Sequence, residues 1–217
     1  MRDTIVIMRD FVTRKSYNND IIFRVVDIRE NIYYLCGVSI RLYADSLEDD
    51  LVICKEEEDD EFVVDFEEYK TLDRNEYFYL PGKVLHIDGD NEYLDRCMNF
   101  YKKLGIKANG ITLKENVVNK RIDNLLKEYR PDILVITGHD AMYNRNNNVS
   151  YKNSDNFIRA IQVARKYEEN QERLIIIAGA CQSNYEELIK SGANFASSPK
   201  RVNIHALDPA IIASSIA

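Results

Sequence analysis

The sequence contains no CxxC pair. Its four cysteines, Cys36, Cys54, Cys97 and Cys181, are scattered over 217 residues. That spacing excludes a cysteine zinc site and a disulfide framework, and it fits synthesis in a reducing cytoplasm. No apolar run approaches the roughly 18 residues that span a bilayer. The opening MRDTIVIMRD carries Asp3 and lacks both a long apolar stretch and a small-residue cleavage site, so it does not read as a secretory signal. Positive charge is not in excess: 29 Lys and Arg stand against 36 Asp and Glu, a formal net charge of −7. That balance argues against a nucleic-acid binder. DGDNEYLD, residues 88–95, lacks the sixth-position glycine and the later ligands of a calcium loop. No metal, cofactor or membrane partner is expected.

What is present divides in two. The chain is long enough for a small domain plus a medium one. Residues 1–56 hold short runs rich in β-branched and aromatic residues: TIVIMRDFVTRKS, IIFRVVDI, IYYLCGVS, IRLYADS and DLVICKE. Polar turns such as YNND and IREN separate them. About five antiparallel strands are expected, forming a small β-barrel of SH3 or Tudor type. Residues 57–80 read as an acidic linker, continuing the run KEEEDDEFVVDFEEYK and closing in NEYFYLPG.

Residues 81–217 change period. KVLHID, KANGITL, DILVITG, RLIIIAG and ANFASSP read as strands. NEYLDRCMNFYKKLG, ENVVNKRIDNLLKEYR, NSDNFIRAIQVARKYEEN, SNYEELIKSG and DPAIIASSIA read as helices. Their alternation predicts a parallel, doubly wound α/β sheet with helices on both faces. The continuous apolar runs ILVI and LIII suit central strands buried on both sides.

In such a sheet the working crevice lies beyond the carboxyl ends of the strands. Three strand ends carry chemistry. HIDGD brings His86, Asp88 and Asp90, TGHDA brings His139 and Asp140, and GACQS brings Cys181. If the third and fourth strands are neighbours, His139 and Cys181 project from adjacent ends. A free thiol is only a few per cent thiolate at neutral pH, and an imidazole can hold or generate the anion. The same ring can protonate a leaving amine. Cys181 is expected at a helix N-terminus, which favours an anion. Backbone N–H groups of Cys181 and of the loop after His139, at Asp140, are candidates for an oxyanion hole. Cys36, Cys54 and Cys97 read as small buried apolar residues. His86 reads as a packed residue behind the site and His205 as a loop residue lining the cleft. A rival pattern is the phosphoacceptor receiver domain, which Asp88, Asp90, Asp140 and Lys200 mimic. It is disfavoured by Ala180-Cys181 after the fourth strand and by Pro199 preceding Lys200. A non-catalytic assembly scaffold is the other alternative.

The blocks PGKVLHIDGD, YRPDILVITGHDA, AGACQS and GANFASSPKRVNIHALDP, with RKSYNNDIIFRV and IRLYADS in the first module, resemble the YabG sporulation proteases. The order strand–His, then strand–Ala-Cys, is also similar to the caspase, gingipain and legumain group of cysteine peptidases. The resemblance implies a caspase-like peptidase domain with Cys181 as nucleophile and His139 as general base. It implies cleavage of spore coat and germination precursor proteins after Arg, with Lys as a second basic residue. The charged linker 55–74, with Lys55, Lys70 and Arg74, would then offer such a protease a site for autoprocessing. It also implies synthesis in the mother cell and association with the forming coat. A basic side chain at the cleavage site needs a carboxylate in its pocket. The candidates are Asp208, Asp140, Asp88 and Asp90. The sequence departs from the resemblance in having Asp140 where the caspase-like group has Gly, and in a shorter, more acidic linker. Members of the family are also expected to continue beyond the position of Ala217.

Overall fold

A computed structural model describes residues 6–54, 82–145 and 148–217. The chain falls into two compact units, Met1–Thr71 and Leu72–Ala217. The acidic linker expected at 57–80 lies outside the described residues.

The first unit contains the expected five strands: β1 (Phe11–Arg14), β2 (Phe23–Arg29), β3 (Ile32–Gly37), β4 (Tyr43–Leu47) and β5 (Leu51–Ile53). They pair antiparallel in the order β4-β3-β2-β1-β5. Glu30 and Asn31 form the two-residue turn between β2 and β3, and both have positive φ, 47° and 66°. That backbone twist matches the right-handed twist of paired strands, and Asn tolerates it well. Val12, Phe23, Val25 and Leu35 are buried in this unit's core.

The second unit has a five-stranded parallel sheet. Its strands are β6 (Val84–Asp88), β7 (Ala108–Thr112), β8 (Ile133–Thr137), β11 (Ile175–Ala178) and β12 (Phe195–Ala196). The order is β12-β11-β8-β6-β7. Counted within this unit, that is the order 2-1-3-4-5 of a doubly wound sheet, with its switch point between β6 and β8. β6 and β8 are buried along their whole lengths, which explains the apolar run 133–136 of β8; β6 buries His86 and Asp88 among its apolar residues.

Among the described residues of this unit, α1 (Asn91–Lys103), α2 (Glu115–Tyr129), α3 (Ser154–Tyr167) and α4 (Tyr185–Lys190) connect the strands, and α5 (Asp208–Ile216) follows the last one. Strand side chains alternate between faces. Leu85, Ile87, Leu134, Ile136 and Ile176 share one core with Val118, Ile122 and Leu126 of α2 and Phe157 and Ile161 of α3. His86, on the opposite side of β6, meets Tyr101 of α1 instead. Helices therefore cover both faces, as the sequence pattern predicts.

Two local features differ from that pattern. A hairpin, β9 (Met142–Arg145) and β10 (Asn148–Tyr151), interrupts the crossover from β8 to α3. Its sequence is polar and Asn-rich, and Tyr143 and Val149 are exposed, so it lacks the apolar alternation that marks a half-buried strand. The other difference is that α4 starts at Tyr185 with Asn184 as its cap, so Cys181 precedes the helix rather than opening it. Gln182 takes a left-handed φ of 58° and Ser183 Oγ accepts the Ala180 N–H, making a separate turn that holds the thiol. The helix-dipole contribution expected for Cys181 is correspondingly reduced, since it decays beyond the first turn.

Candidate functional site

The register of the sheet sets the site. Ala178 of β11 pairs with Ile136 of β8 in parallel. Cys181 lies three residues beyond Ala178, and His139 three beyond Ile136. The two side chains thus leave neighbouring strands at the same offset past the sheet's carboxyl edge. β6 pairs with β8 on the other side, Asp88 opposite Thr137, so HIDGD ends on the same edge.

Gly179 makes the turn after β11 possible. Its φ is +109°, and a Cβ there would meet Leu188 Cδ1 at 2.9 Å. Only glycine combines that backbone with that packing at low cost. Cys181 itself is buried, 5% exposed. Its Sγ accepts the Ile204 N–H at 3.3 Å. The segment carrying Ile204 is anchored by Ser198, whose Oγ accepts from Gln182 N and donates to Val202 O. Arg201 adds a second anchor, bonding Tyr151 Oη at 2.9 Å and pairing with Glu186.

His139 is fixed by its backbone and by its ring. Its N–H donates to Glu115 Oε1 at 2.8 Å, and its carbonyl accepts from Asn153 Nδ2 at 2.7 Å. The Glu115 carboxylate occupies the space where a Cβ on Gly89 or Gly138 would stand. The ring's Nε2 lies 3.2 Å from Asp90 Oδ2, and Tyr93 packs at a tilt against it.

Asp140 is a buried carboxylate surrounded by donors. It accepts from Ala141 N at 2.9 Å, Asn153 N at 2.7 Å, Ser183 Oγ at 3.0 Å and the Ser154 hydroxyl. Burial nonetheless pushes its carboxyl above the ordinary range, the four hydrogen bonds opposing that shift. Such a group is saturated, which suits it poorly for accepting a phosphoryl group or a substrate cation.

The remaining pocket candidates are held differently. Asp88 is fully buried, its Oδ1 taking the Asp90 N–H at 2.9 Å. Asp90 caps α1 through Oδ1. Asp208 is half-buried, and its carboxylate accepts the His205 N–H at 3.0 Å, a local bond at the start of α5. His86 is fully buried against Tyr101 Oη at 3.0 Å, and His205 Nδ1 accepts the Leu207 N–H. Cys97 is buried with its Sγ near Ala206 O, and Cys36 is buried in the first unit.

Glu115, Asn153, Ser154 and Ser183 are the site residues that the sequence pattern does not single out. Each sits at a helix start or in a turn, where acidic and hydroxyl residues are common for capping alone. Their sequence positions carry no sign that their side chains turn toward the strand ends. Among the described residues, no cluster of His, Cys, Asp and Glu has the makings of a metal site, and no helix is long and apolar enough to cross a membrane.

The fold defines a mixed α/β protein whose parallel sheet carries a thiol and an imidazole just beyond the carboxyl ends of two adjacent strands. The chain belongs to the YabG peptidase U57 family, whose model matches residues 7–72 and 59–217. It is 42% identical over 241 residues to the sporulation-specific protease YabG of Bacillus subtilis (strain 168), covering 95% of this chain and 83% of that one. The aligned length exceeds the 217 residues of this chain, so the relative carries internal residues that this chain lacks. A cobalamin-binding protein from Desulfitobacterium hafniense DCB-2 is similar to 62% of this chain and 57% of its own, at 19% identity and a TM-score of 0.36.

Proposed function

We propose that this chain is a cysteine endopeptidase of sporulation, with Cys181 as nucleophile and His139 as general base. The observation that carries the reading is the shared offset of the two residues past the paired Ala178 and Ile136. In this mechanism the Cys181 proton passes to His139 and the thiolate attacks the scissile carbonyl carbon. The backbone N–H groups of Cys181 and Asp140 receive the developing oxyanion. The imidazolium then gives its proton to the leaving amine, and an acyl-enzyme remains. Water, deprotonated by His139, releases the acid and regenerates the thiol.

The substrates in this reading are spore coat and germination precursor proteins, cut after Arg or Lys. The protein is made in the mother cell and joins the forming coat. Asp208 is the carboxylate of choice for the basic side chain, because its described bond is to a local backbone N–H, whereas Asp88 is sealed, Asp90 faces the imidazole and Asp140 joins two loops. The charged segment 55–74, with Lys55, Lys70 and Arg74, is the site of autoprocessing. The first unit is read as a small barrel of SH3 or Tudor type on the strength of its five antiparallel strands, and the second as a caspase-like peptidase domain.

Cys181→Ala and His139→Ala test the assignment on a coat-protein substrate. Both should abolish cleavage while leaving the Tm within a few degrees, and wild type alone should accumulate fragments split in the acidic segment. Retained cleavage in either variant would remove that residue from the mechanism. Binding of coat proteins without cleavage by the wild type would favour the scaffold.

A further inference from the structure

We infer that Asp90 is the positioning residue of His139, so that the site is a three-part array of Cys181, His139 and Asp90. The inference rests on the Cys/His reading above and adds a carboxylate to it. Asp90 Oδ2 lies 3.2 Å from His139 Nε2, with both side chains largely shielded, 12% and 22% exposed.

The carboxylate is held from several directions. Asp90 follows β6, and its N–H donates to Oδ1 of the fully buried Asp88. Its own Oδ1 accepts the Glu92 and Tyr93 N–H groups at 2.9 and 3.3 Å, capping α1. That cap fixes the carboxylate plane and directs Oδ2 to the imidazole. The neighbouring Tyr93 ring stands 5.8 Å from the His139 ring, centroid to centroid, and limits its rotation. Glu115 and Asn153 hold the His139 backbone on either side. Three separate segments, residues 88–93, Glu115 and Asn153, therefore converge on His139.

The chemistry follows from the hydrogen-bonding inventory. An ionised carboxylate only accepts, so Nε2 carries the proton in the neutral ring and Nδ1 does not. Nδ1 is then the atom that takes the proton from Cys181. The S–H bond breaks, an Nδ1–H bond forms, and Asp90 stays ionised opposite the imidazolium. Asp90 thereby selects the tautomer and stabilises the ion pair without exchanging a proton itself. This use of Asp90 differs from a place in the substrate pocket, where its charge would face a substrate cation.

Asp90→Asn is the informative variant, because Asn caps helices as well as Asp does but lacks the charge. The full chain carrying it should keep its Tm within a few degrees. Its kcat should fall by about 10²- to 10⁴-fold with KM changed by less than about threefold. The rate of Cys181 alkylation by iodoacetamide at neutral pH should fall as well. A kcat/KM within about threefold of wild type would overturn the assignment. So would a loss confined to KM and to substrates with a basic residue at the cleavage site. His139→Ala, measured in parallel, separates two failures: an active His139→Ala defeats the Cys/His reading, whereas an inactive His139→Ala beside a fully active Asp90→Asn defeats only the role of Asp90.

Discussion

Ser183 Oγ donates to Asp140 Oδ2 at 3.0 Å, a bond that joins the loop after β11 to the loop after β8. These are the loops that carry Cys181 and His139. Ser154 extends the link, donating to Asp140 and accepting the Asn184 N–H at 2.8 Å, so α3 and the cap of α4 enter the same network. The spacing of thiol and imidazole is thus set by a buried carboxylate that need not touch a substrate.

Asp140→Ala should be strongly destabilising. It leaves two hydroxyls and two backbone N–H groups without their acceptor in a buried place, and each such loss costs about 1–3 kcal/mol where water cannot compensate. A net loss on the order of 3 kcal/mol in urea unfolding is expected. Asp140→Asn, which keeps an acceptor oxygen, should lose less. Any activity left in Asp140→Asn should show the wild-type preference between Arg and Lys substrates. A changed preference would return Asp140 to the substrate pocket.

The same carboxyl has a defined effect on stability against pH. Burial raises its value in the folded protein above the ordinary 3.8. The native state therefore holds this proton to higher pH than the unfolded chain does. Its contribution is greatest below pH 3.8, declines as pH rises through the raised native value, and is flat above it. Asp50 and Glu186, both lowered, act oppositely and lose their contribution as pH falls through their native values. The diagnostic quantity is the difference in unfolding free energy between wild type and Asp140→Asn across the acid range. A difference that does not fall with rising pH would contradict the buried, raised carboxyl.

Arg201→Ala should expose Cys181 without unfolding the domain. The Arg201–Glu186 pair is solvent-accessible, so its loss should cost no more than about 1 kcal/mol. Yet Arg201 also ties its loop to Tyr151, and that loop carries the Ile204 N–H bonded to Sγ. Alkylation of Cys181 by a small electrophile should quicken several-fold at an almost unchanged Tm. An unaltered alkylation rate would mean that other contacts hold the loop closed.

Asp208→Asn should lower kcat/KM steeply for Arg substrates if its carboxylate receives the guanidinium. Truncating a desolvated charge contact costs about 2–5 kcal/mol. The rival role is local, an acceptor for the His205 N–H at the start of α5. Asn can fill that role, so a change below about threefold leaves Asp208 with the helix alone.

The five strands of the first unit, the parallel sheet of the second and the helices that cover it are legible in the residue pattern alone. Those elements are written in local periods of two and 3.6 residues, which no distant contact has to supply. Strand adjacency is a weaker inference from sequence, yet the strands carrying His139 and Cys181 are neighbours as expected, because short right-handed crossovers favour that order. What each acidic residue touches depends on the folded arrangement. In sequence, Asp88, Asp90 and Asp140 look alike as strand-end carboxylates, and Asp208 looks like a helix-start residue. One is sealed behind the site, one meets the imidazole, one joins two loops, and one accepts at a helix start. The same holds for Glu115, a helix-start residue whose carboxylate reaches the His139 backbone through the space left by Gly89 and Gly138. A side chain's partners depend on which loops the sheet register brings together, and that information is spread over residues far apart in the chain.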